Sequence, residues 1–200
     1  MTAGLLLRRR IPFGIAFTGS TSRFGPMKLM RWRRFIWDLT KLPPLEYSMP
    51  NHYHLRVATR DELRMVSPVI SSAFSLDTSW SDTFFTFRER LDQQLEIAFA
   101  RESIPAILIT HGQRIIGASA LNTDMDAETN LISGPCVAVE YRNRGLGSAL
   151  LHASLKQLKT AGLPRAKGIC KDTAPATKFV YPKFGSTDEP HELEPLVEVE

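Results

Sequence analysis

The most informative stretch of the chain is CVAVEYRNRGLGSALL at residues 136–151. Its first residues are small or branched and apolar, which predicts a β-strand, and its last residues predict the start of an α-helix. Gly145 and Gly147 predict a tight turn between the two. The first N–H groups of such a helix have no intrahelical partner, and the helix dipole adds about half a positive charge. The stretch therefore predicts an anion-binding loop, in which the glycines let a phosphate reach the backbone and Arg142 and Arg144 add positive charge.

Two common phosphate-binding motifs do not fit this loop. A Walker A loop requires Gly-Lys-Ser or Gly-Lys-Thr, and neither occurs in the chain. A dinucleotide-binding fingerprint requires a third glycine where Leu150 stands. The alternative to an anion site is a purely structural turn with both arginines in solvent.

Hydrophobic periodicity predicts the elements around this loop. Helices are expected over residues 63–74, 84–100, 148–160 and 176–181. Strands are expected over residues 54–58, 106–110, 114–121, 130–140, 166–171 and 196–200. This order predicts an α/β or α+β fold with one central mixed sheet flanked by helices.

The N-terminal quarter differs from the rest of the chain in charge. Residues 1–50 contain nine Lys and Arg against two acids, a net charge of +7, whereas the rest carries sixteen basic and nineteen acidic residues, or −3. Residues 1–26 resemble a dispensable tail or a transit-type address, and Met27 is an alternative native start. Residues 28–42 predict a short basic helix, packed on the domain or used at an interface. We therefore expect a basic N-terminal extension over 1–51 and a folded domain over 52–200.

Composition narrows the functional classes. Hydrophobic residues make up 43% and charged residues 23%, which is typical of a globular protein. The main body lacks a broad basic surface, so no nucleic-acid partner is expected. No run is long and apolar enough for a transmembrane helix. The two cysteines and the histidines lack metal-ligand spacing, so we expect no metal site and a reducing, cytoplasmic location.

Arg142-x-x-Gly145-x-Gly147 resembles the acyl-CoA-binding motif [RQ]-x-x-G-x-[GA] of the GNAT superfamily of N-acyltransferases. The resemblance covers residues 52 to about 185. It includes a hairpin at 112–120 and the run Tyr181-Pro-Lys-Phe-Gly, which is similar to the family's Tyr-x-Lys-x-Gly signature. It implies a GNAT-like fold and an N-acetyltransferase that transfers an acetyl or short acyl group from acetyl-CoA, its cosubstrate, to a primary amine.

The resemblance also implies roles for individual residues. The tyrosine that matches Tyr181 is expected to donate a proton or a hydrogen bond to the departing CoA thiolate, after direct attack by the amine and without a covalent enzyme intermediate. Cys136 is expected to pack rather than act as a nucleophile. The pantetheine arm is expected to pair with the backbone of Val137, Ala138 and Val139. The pyrophosphate is expected at Arg142, Asn143, Arg144, Gly145, Leu146, Gly147 and Ser148.

Several features depart from the family pattern or stay open. Ala174 stands where the family often has an asparagine that contacts CoA. Only fourteen residues follow Ser186, so we expect an incomplete last hairpin and a pocket that is open or completed by another subunit, as in a homodimer. The candidate general bases are Glu140, Asp124, Asp126 and Glu128, or a water molecule.

The acceptor also stays open. It could be a small amine, an amino acid, an aminoglycoside, a peptide N-terminus or a lysine side chain. The alternative functions are a non-catalytic acyl-CoA-binding or sensor domain, and a protein tethered to a membrane or nucleic acid through residues 1–42.

Overall fold

The computed structural model describes residues 31–46, 48–100 and 105–192. The helices are α1 (Leu63–Ser75), α2 (Phe84–Ala100), α3 (Leu146–Thr160) and α4 (Pro175–Phe179). The strands are β1 (Trp32–Asp38), β2 (Tyr53–Val57), β3 (Ala106–His111), β4 (Arg114–Ala120), β5 (Cys136–Val137), β6 (Arg165–Lys171) and β7 (Thr187–His191). The helices predicted over 63–74, 84–100, 148–160 and 176–181 are present. The strand predicted over 196–200 and the tail over 1–26 lie outside the described residues.

The strands form two antiparallel sheets flanked by helices, which confirms the α/β fold class. One sheet has the order β2-β3-β4-β5 and the other has the order β6-β1-β7. The predicted single sheet is thus divided between β5 and β6. Helix α1 packs on β4 and β5, and α3 packs on β3 and β4. No helix in the described part of the chain is long and apolar enough to cross a membrane.

The prediction of a helix over residues 28–42 is wrong, because residues 32–38 form strand β1. Phe35, Trp37 and Leu39 are buried and alternate with more exposed neighbours. This period of two places one set of side chains in the core. The helix prediction rested on a different set, in which Leu29, Trp32, Phe35, Ile36 and Leu39 follow helical spacing. Arg33 and Arg34 form ion pairs with Asp188 and Glu189 of β7, so part of the basic charge of this segment stabilises the sheet.

Strand β1 belongs to the second sheet. It lies between β6 and β7 and pairs antiparallel with both. The N-terminal segment thus supplies the middle strand of that sheet. The domain therefore begins at or before Trp32 rather than at residue 52.

The strand predicted over 130–140 is mostly irregular. Only Cys136–Val137 pairs with β4, and Leu131 forms an isolated bridge with Leu121. Gly134 has a left-handed backbone (φ +63°) and is followed by a proline, which interrupts the strand. A 3-10 helix, Val139–Tyr141, then leads into the glycine loop. This irregular stretch leaves β5 short, next to the gap between the sheets.

Candidate active site

A cavity of about 610 Å³ opens where β5 and β6 separate. Helices α1 and α2 contribute one wall, and α4 with the residues after it contributes another. The glycine loop and the start of α3 line one part of the cavity, and Cys136, Cys170 and Tyr181 also line it. The sequence-predicted loop and the predicted tyrosine therefore share one cavity.

The glycine loop has the geometry of an anion site. Asn143 (φ +60°) and Gly145 (φ +77°) adopt left-handed backbone conformations, and Gly145 caps α3 without a side chain. The first helical hydrogen bond runs from the Ala149 N–H to the Gly145 carbonyl. The N–H groups of the three preceding residues, Leu146 to Ser148, therefore have no intrahelical acceptor. A Cβ built on Gly147 would meet no atom within 4 Å, so the space beside the loop is open.

The Arg142 side chain is not directed at this loop. Its Nε donates to the Val137 carbonyl at 3.1 Å, and its Nη2 donates to the Ala73 carbonyl at 2.6 Å. Its Nη1 forms an ion pair with Asp77 at 2.6 Å. Arg142 thus connects the end of β5 to the segment after α1, and its charge is largely neutralised.

Arg144 is not among the residues that line the cavity. One guanidinium nitrogen donates to the Tyr53 hydroxyl at 3.0 Å, and the other donates to the Glu140 carbonyl at 3.1 Å. Its guanidinium carbon lies 5.5 Å from the centre of the Tyr141 ring. The contacts of Arg144 therefore link the loop to β2.

Lys183 provides a positive charge at the loop that the sequence analysis did not assign. Its Nζ lies 3.4 Å from the Ser148 Oγ, and both residues line the cavity. The lysine belongs to the Tyr-x-Lys-x-Gly run, so its motif was visible in the sequence. Its proximity to the start of α3 depends on how the chain after α4 folds back on that helix.

Of the three residues predicted to pair with pantetheine, only Val137 lines the cavity. The Ala138 N–H donates to the Ile116 carbonyl on β4, and Val139 belongs to the 3-10 helix. Within the described residues β5 is the terminal strand of its sheet, so its other edge faces the gap. That edge is two residues long, shorter than the three-residue edge that the sequence suggested.

Tyr181 is buried against the strand that the sequence analysis had placed outside the domain. Its ring packs edge-on against Phe35 and Trp37 of β1, with ring centres 4.8 and 5.1 Å away. Its hydroxyl oxygen lies 2.9 Å from the position of a Cβ built on Gly134, so only a glycine leaves room for it there. Burial, with a contribution from the nearby Cys170 thiol, raises the pKa of Tyr181 well above its ordinary value. The hydroxyl therefore keeps its proton at neutral pH.

The two cysteines in the cavity are unreactive thiols. Burial raises the pKa of Cys136 and of Cys170 to about 12. Because the thiolate is the nucleophilic form, neither side chain is activated at neutral pH. This agrees with the expectation that Cys136 serves packing.

The four carboxylates predicted as candidate bases do not line the cavity. Glu140 pairs with Arg114 at 2.6 Å, and Glu128 pairs with Arg90 at 3.2 Å. Among the residues that the structure describes, Asp77 is the carboxylate that lines it. Burial raises the pKa of Asp77, but hydrogen bonds from Ser79 and the charge of Arg142 outweigh this and hold the pKa below its usual range. Asp77 is therefore a weak base.

Several solved structures share the fold of this chain. A Drosophila protein is 13% identical, with a TM-score of 0.54 over 80% of this chain and 48% of its own. A GCN5-related N-acetyltransferase from Kribbella flavida is 13% identical, with a TM-score of 0.51 over 81% of this chain and 56% of its own. One from Sphaerobacter thermophilus is 15% identical, with a TM-score of 0.50 over 80% of this chain and 49% of its own. This chain thus spans about half the length of these proteins.

No curated protein is similar enough in sequence to match the chain. The model of the acetyltransferase (GNAT) family matches residues 73–185, which is more than half of the chain. The match includes the glycine loop and Tyr181. The chain belongs to the GNAT acetyltransferase family.

Proposed function

We propose that the protein transfers an acetyl or other short acyl group from acyl-CoA to a primary amine within a ternary complex. The observation that carries this proposal is one cavity that contains an open helix N-terminus, a sheet edge and a buried, protonated tyrosine hydroxyl. These are the parts needed to hold a phosphate, align an extended arm and stabilise a leaving thiolate.

The residues around the loop fit the pyrophosphate of CoA. The N–H groups of Leu146, Gly147 and Ser148 point out of the helix start and are suited to phosphate oxygens. The open space at Gly147 is the space that a side chain would otherwise fill. Lys183 adds a full positive charge near Ser148. Main-chain donors and one lysine, rather than Arg142 and Arg144, therefore form the site.

Tyr181 acts in this proposal as a hydrogen-bond donor. The amine nitrogen attacks the thioester carbon, the carbon–sulfur bond breaks, and negative charge develops on sulfur. A thiol has a pKa of about 8.5, whereas the Tyr181 pKa is raised well above 10. Complete proton transfer to the thiolate is therefore unfavourable, but a hydrogen bond to it is stabilising. The thiolate takes its final proton from solvent.

The attacking amine must lose a proton before or during the reaction. Asp77 is occupied by Arg142 and Ser79 and its pKa is low, so water is the proton acceptor in this proposal. The rate is then expected to rise with pH as the neutral fraction of the amine increases.

The experiment has two separate measurements. Melting curves with acetyl-CoA measure binding, and ligand at 100 times its dissociation constant should stabilise the protein by about 2.7 kcal/mol. Release of free thiol from acetyl-CoA with a panel of amines then measures turnover. Absence of a melting shift would overturn the cofactor assignment, whereas binding without turnover for any amine would support the sensor alternative.

A further inference from the structure

Three aromatic side chains form a continuous wall on the α1 and α2 side of the cavity. Phe74, Trp80 and Phe87 all line it. The Phe74 ring centre lies 4.7 Å from that of Trp80 and 5.3 Å from that of Phe87, and the last two lie 5.2 Å apart. Trp32 of β1 packs against Phe87, with ring centres 5.5 Å apart. The wall is therefore an apolar surface supported by further aromatic packing.

The segment at residues 77–82, called the strap below, holds Trp80 in place from both ends. At one end Asp77 forms the ion pair with Arg142. At the other end Asp82 forms an ion pair with Lys171 of β6 at 2.6 Å, and the buried Lys171 also donates to the Ser79 carbonyl at 3.0 Å. The strap thus connects the β5 side of the gap to the β6 side, and an ion pair at each end positions Trp80 in the aromatic wall.

The charges that line the cavity disfavour an acceptor with several positive charges. Its described lining contains the cations of Arg142 and Lys183 and the carboxylate of Asp77. That carboxylate already accepts from Arg142 and from the Ser79 N–H and hydroxyl. An acceptor with several ammonium groups would lose hydration there without gaining a free carboxylate partner.

We infer that the acceptor is a small molecule with a single primary amine carried on an aromatic or similarly apolar body, such as an arylalkylamine. The aromatic wall receives this body by ring packing and apolar burial. Polyamines, aminoglycosides and lysine-rich peptides are excluded as preferred acceptors. This inference rests on the proposed function, because it names the substrate class of the same cavity.

The test compares acceptors in the full-length protein with acetyl-CoA, following thiol release. The panel contains 2-phenylethylamine, ethylamine, spermidine and kanamycin. We expect kcat/KM for 2-phenylethylamine to exceed the value for each of the others by at least about tenfold, the scale of discrimination that an apolar pocket provides.

Two variants of α2 make the test specific. Phe87→Leu removes a wall ring that is only partly buried and should lower the ratio of kcat/KM for 2-phenylethylamine over ethylamine severalfold. Phe85→Leu makes the same change at a residue that is 84% exposed and outside the lining, and should leave the ratio unchanged. Neither change should alter the melting shift with acetyl-CoA.

The outcomes separate the inference from the proposed function. Acetyl-CoA binding together with preferred acetylation of spermidine or kanamycin, or with acetylation of other amines but not of 2-phenylethylamine, would overturn the inference alone. Acetyl-CoA binding without thiol release for any amine would instead count against the proposed function. Equal effects of Phe85→Leu and Phe87→Leu on the ratio would also overturn it. Absence of both the melting shift and thiol release would overturn the proposed function.

Discussion

Substitutions of Gly147 separate the stability of helix α3 from ligand binding. It is the second residue of α3, and a Cβ there would meet no protein atom within 4 Å. Alanine favours a helix over glycine by up to about 1 kcal/mol, and by about half of that in the first turn. Because 1 kcal/mol corresponds to about 2–4 °C in a chain of this size, Gly147→Ala should raise the Tm of the free protein by about 1–2 °C.

A side chain larger than that of alanine should weaken acetyl-CoA binding. The motif allows glycine or alanine at this position, so Gly147→Ala should keep the wild-type ligand shift. Gly147→Val fills the space through which phosphate oxygens would approach the N–H groups of α3. We expect at least about a tenfold loss of affinity for Gly147→Val, equal to about 1.4 kcal/mol. At a concentration of 100 times the wild-type Kd, the stabilisation by ligand should then fall from about 2.7 to about 1.4 kcal/mol. Gly147→Asp adds a negative charge, whose repulsion at 4 Å is about 4 kcal/mol near a protein surface, and should abolish the shift.

Melting curves with and without acetyl-CoA check both effects in one assay. Gln157→Glu is the matched control, because it adds the same charge to α3 about 15 Å from Gly147, at about 1.5 Å per residue. It should leave the ligand-induced shift unchanged. Wild-type affinity in Gly147→Asp would show that the glycine serves only the turn, and would refute the assignment of the phosphate site.

Three further changes test other parts of the site and the fold. Tyr181→Phe should lower kcat by about 10²–10³-fold, as for loss of one donor to a developing anion, while the acetyl-CoA melting shift persists; near-normal turnover would reduce the tyrosine to a packing role. Trp37 is fully buried and packs on Tyr181, so Trp37→Ala should lower the free energy of unfolding by about 3–5 kcal/mol, measured by urea unfolding. A decrease of less than about 1 kcal/mol would contradict the packing of β1 in the core. The Arg56 side chain, and then the Thr59 N–H, lower the pKa of Glu62 from 4.5 to about 2. Because this folded-state pKa is depressed, the stabilisation is present above pH 4.5 and disappears as the pH falls towards 2. Urea unfolding of Glu62→Gln should therefore show a weaker pH dependence than wild type in that window, and parallel curves would refute the linkage.

Local patterns in the sequence were sufficient for the helices that border the site. The helix predicted over 84–100 has the observed bounds of α2, and the glycine loop begins α3 within two residues of the predicted start. These two agreements share a cause, because backbone conformation at glycines and short-range periodicity are set by neighbouring residues. Tyr181 lines the same cavity as the loop, and its role beside the CoA sulfur stays a prediction.

The features that the sequence did not predict depend on partners far along the chain. Phe35 of β1 pairs with Gly168 on one side and with Asp188 on the other. Arg142 meets Asp77, which lies 65 residues earlier. The spacing of apolar residues in 28–42 is compatible with a helix or a strand. Hydrogen bonding to β6 on one side and to β7 on the other favours the strand. In the same way, the motif that contains Arg142 does not predict which residue its side chain contacts.

The contacts of Arg142 are compatible with a motif that has either arginine or glutamine at this position. The contact nearest to the loop is the hydrogen bond from Nε to the Val137 carbonyl, which a neutral amide can also donate. The charge is used elsewhere, in the ion pair with Asp77 that fixes one end of the strap. An anion site built on main-chain N–H groups and a helix dipole does not need that charge. Arg142 therefore has two contacts at different parts of the cavity. It binds the end of β5 beside the proposed phosphate site, and it pairs with Asp77 of the strap that carries Trp80. One side chain thus connects the proposed phosphate site with the aromatic wall.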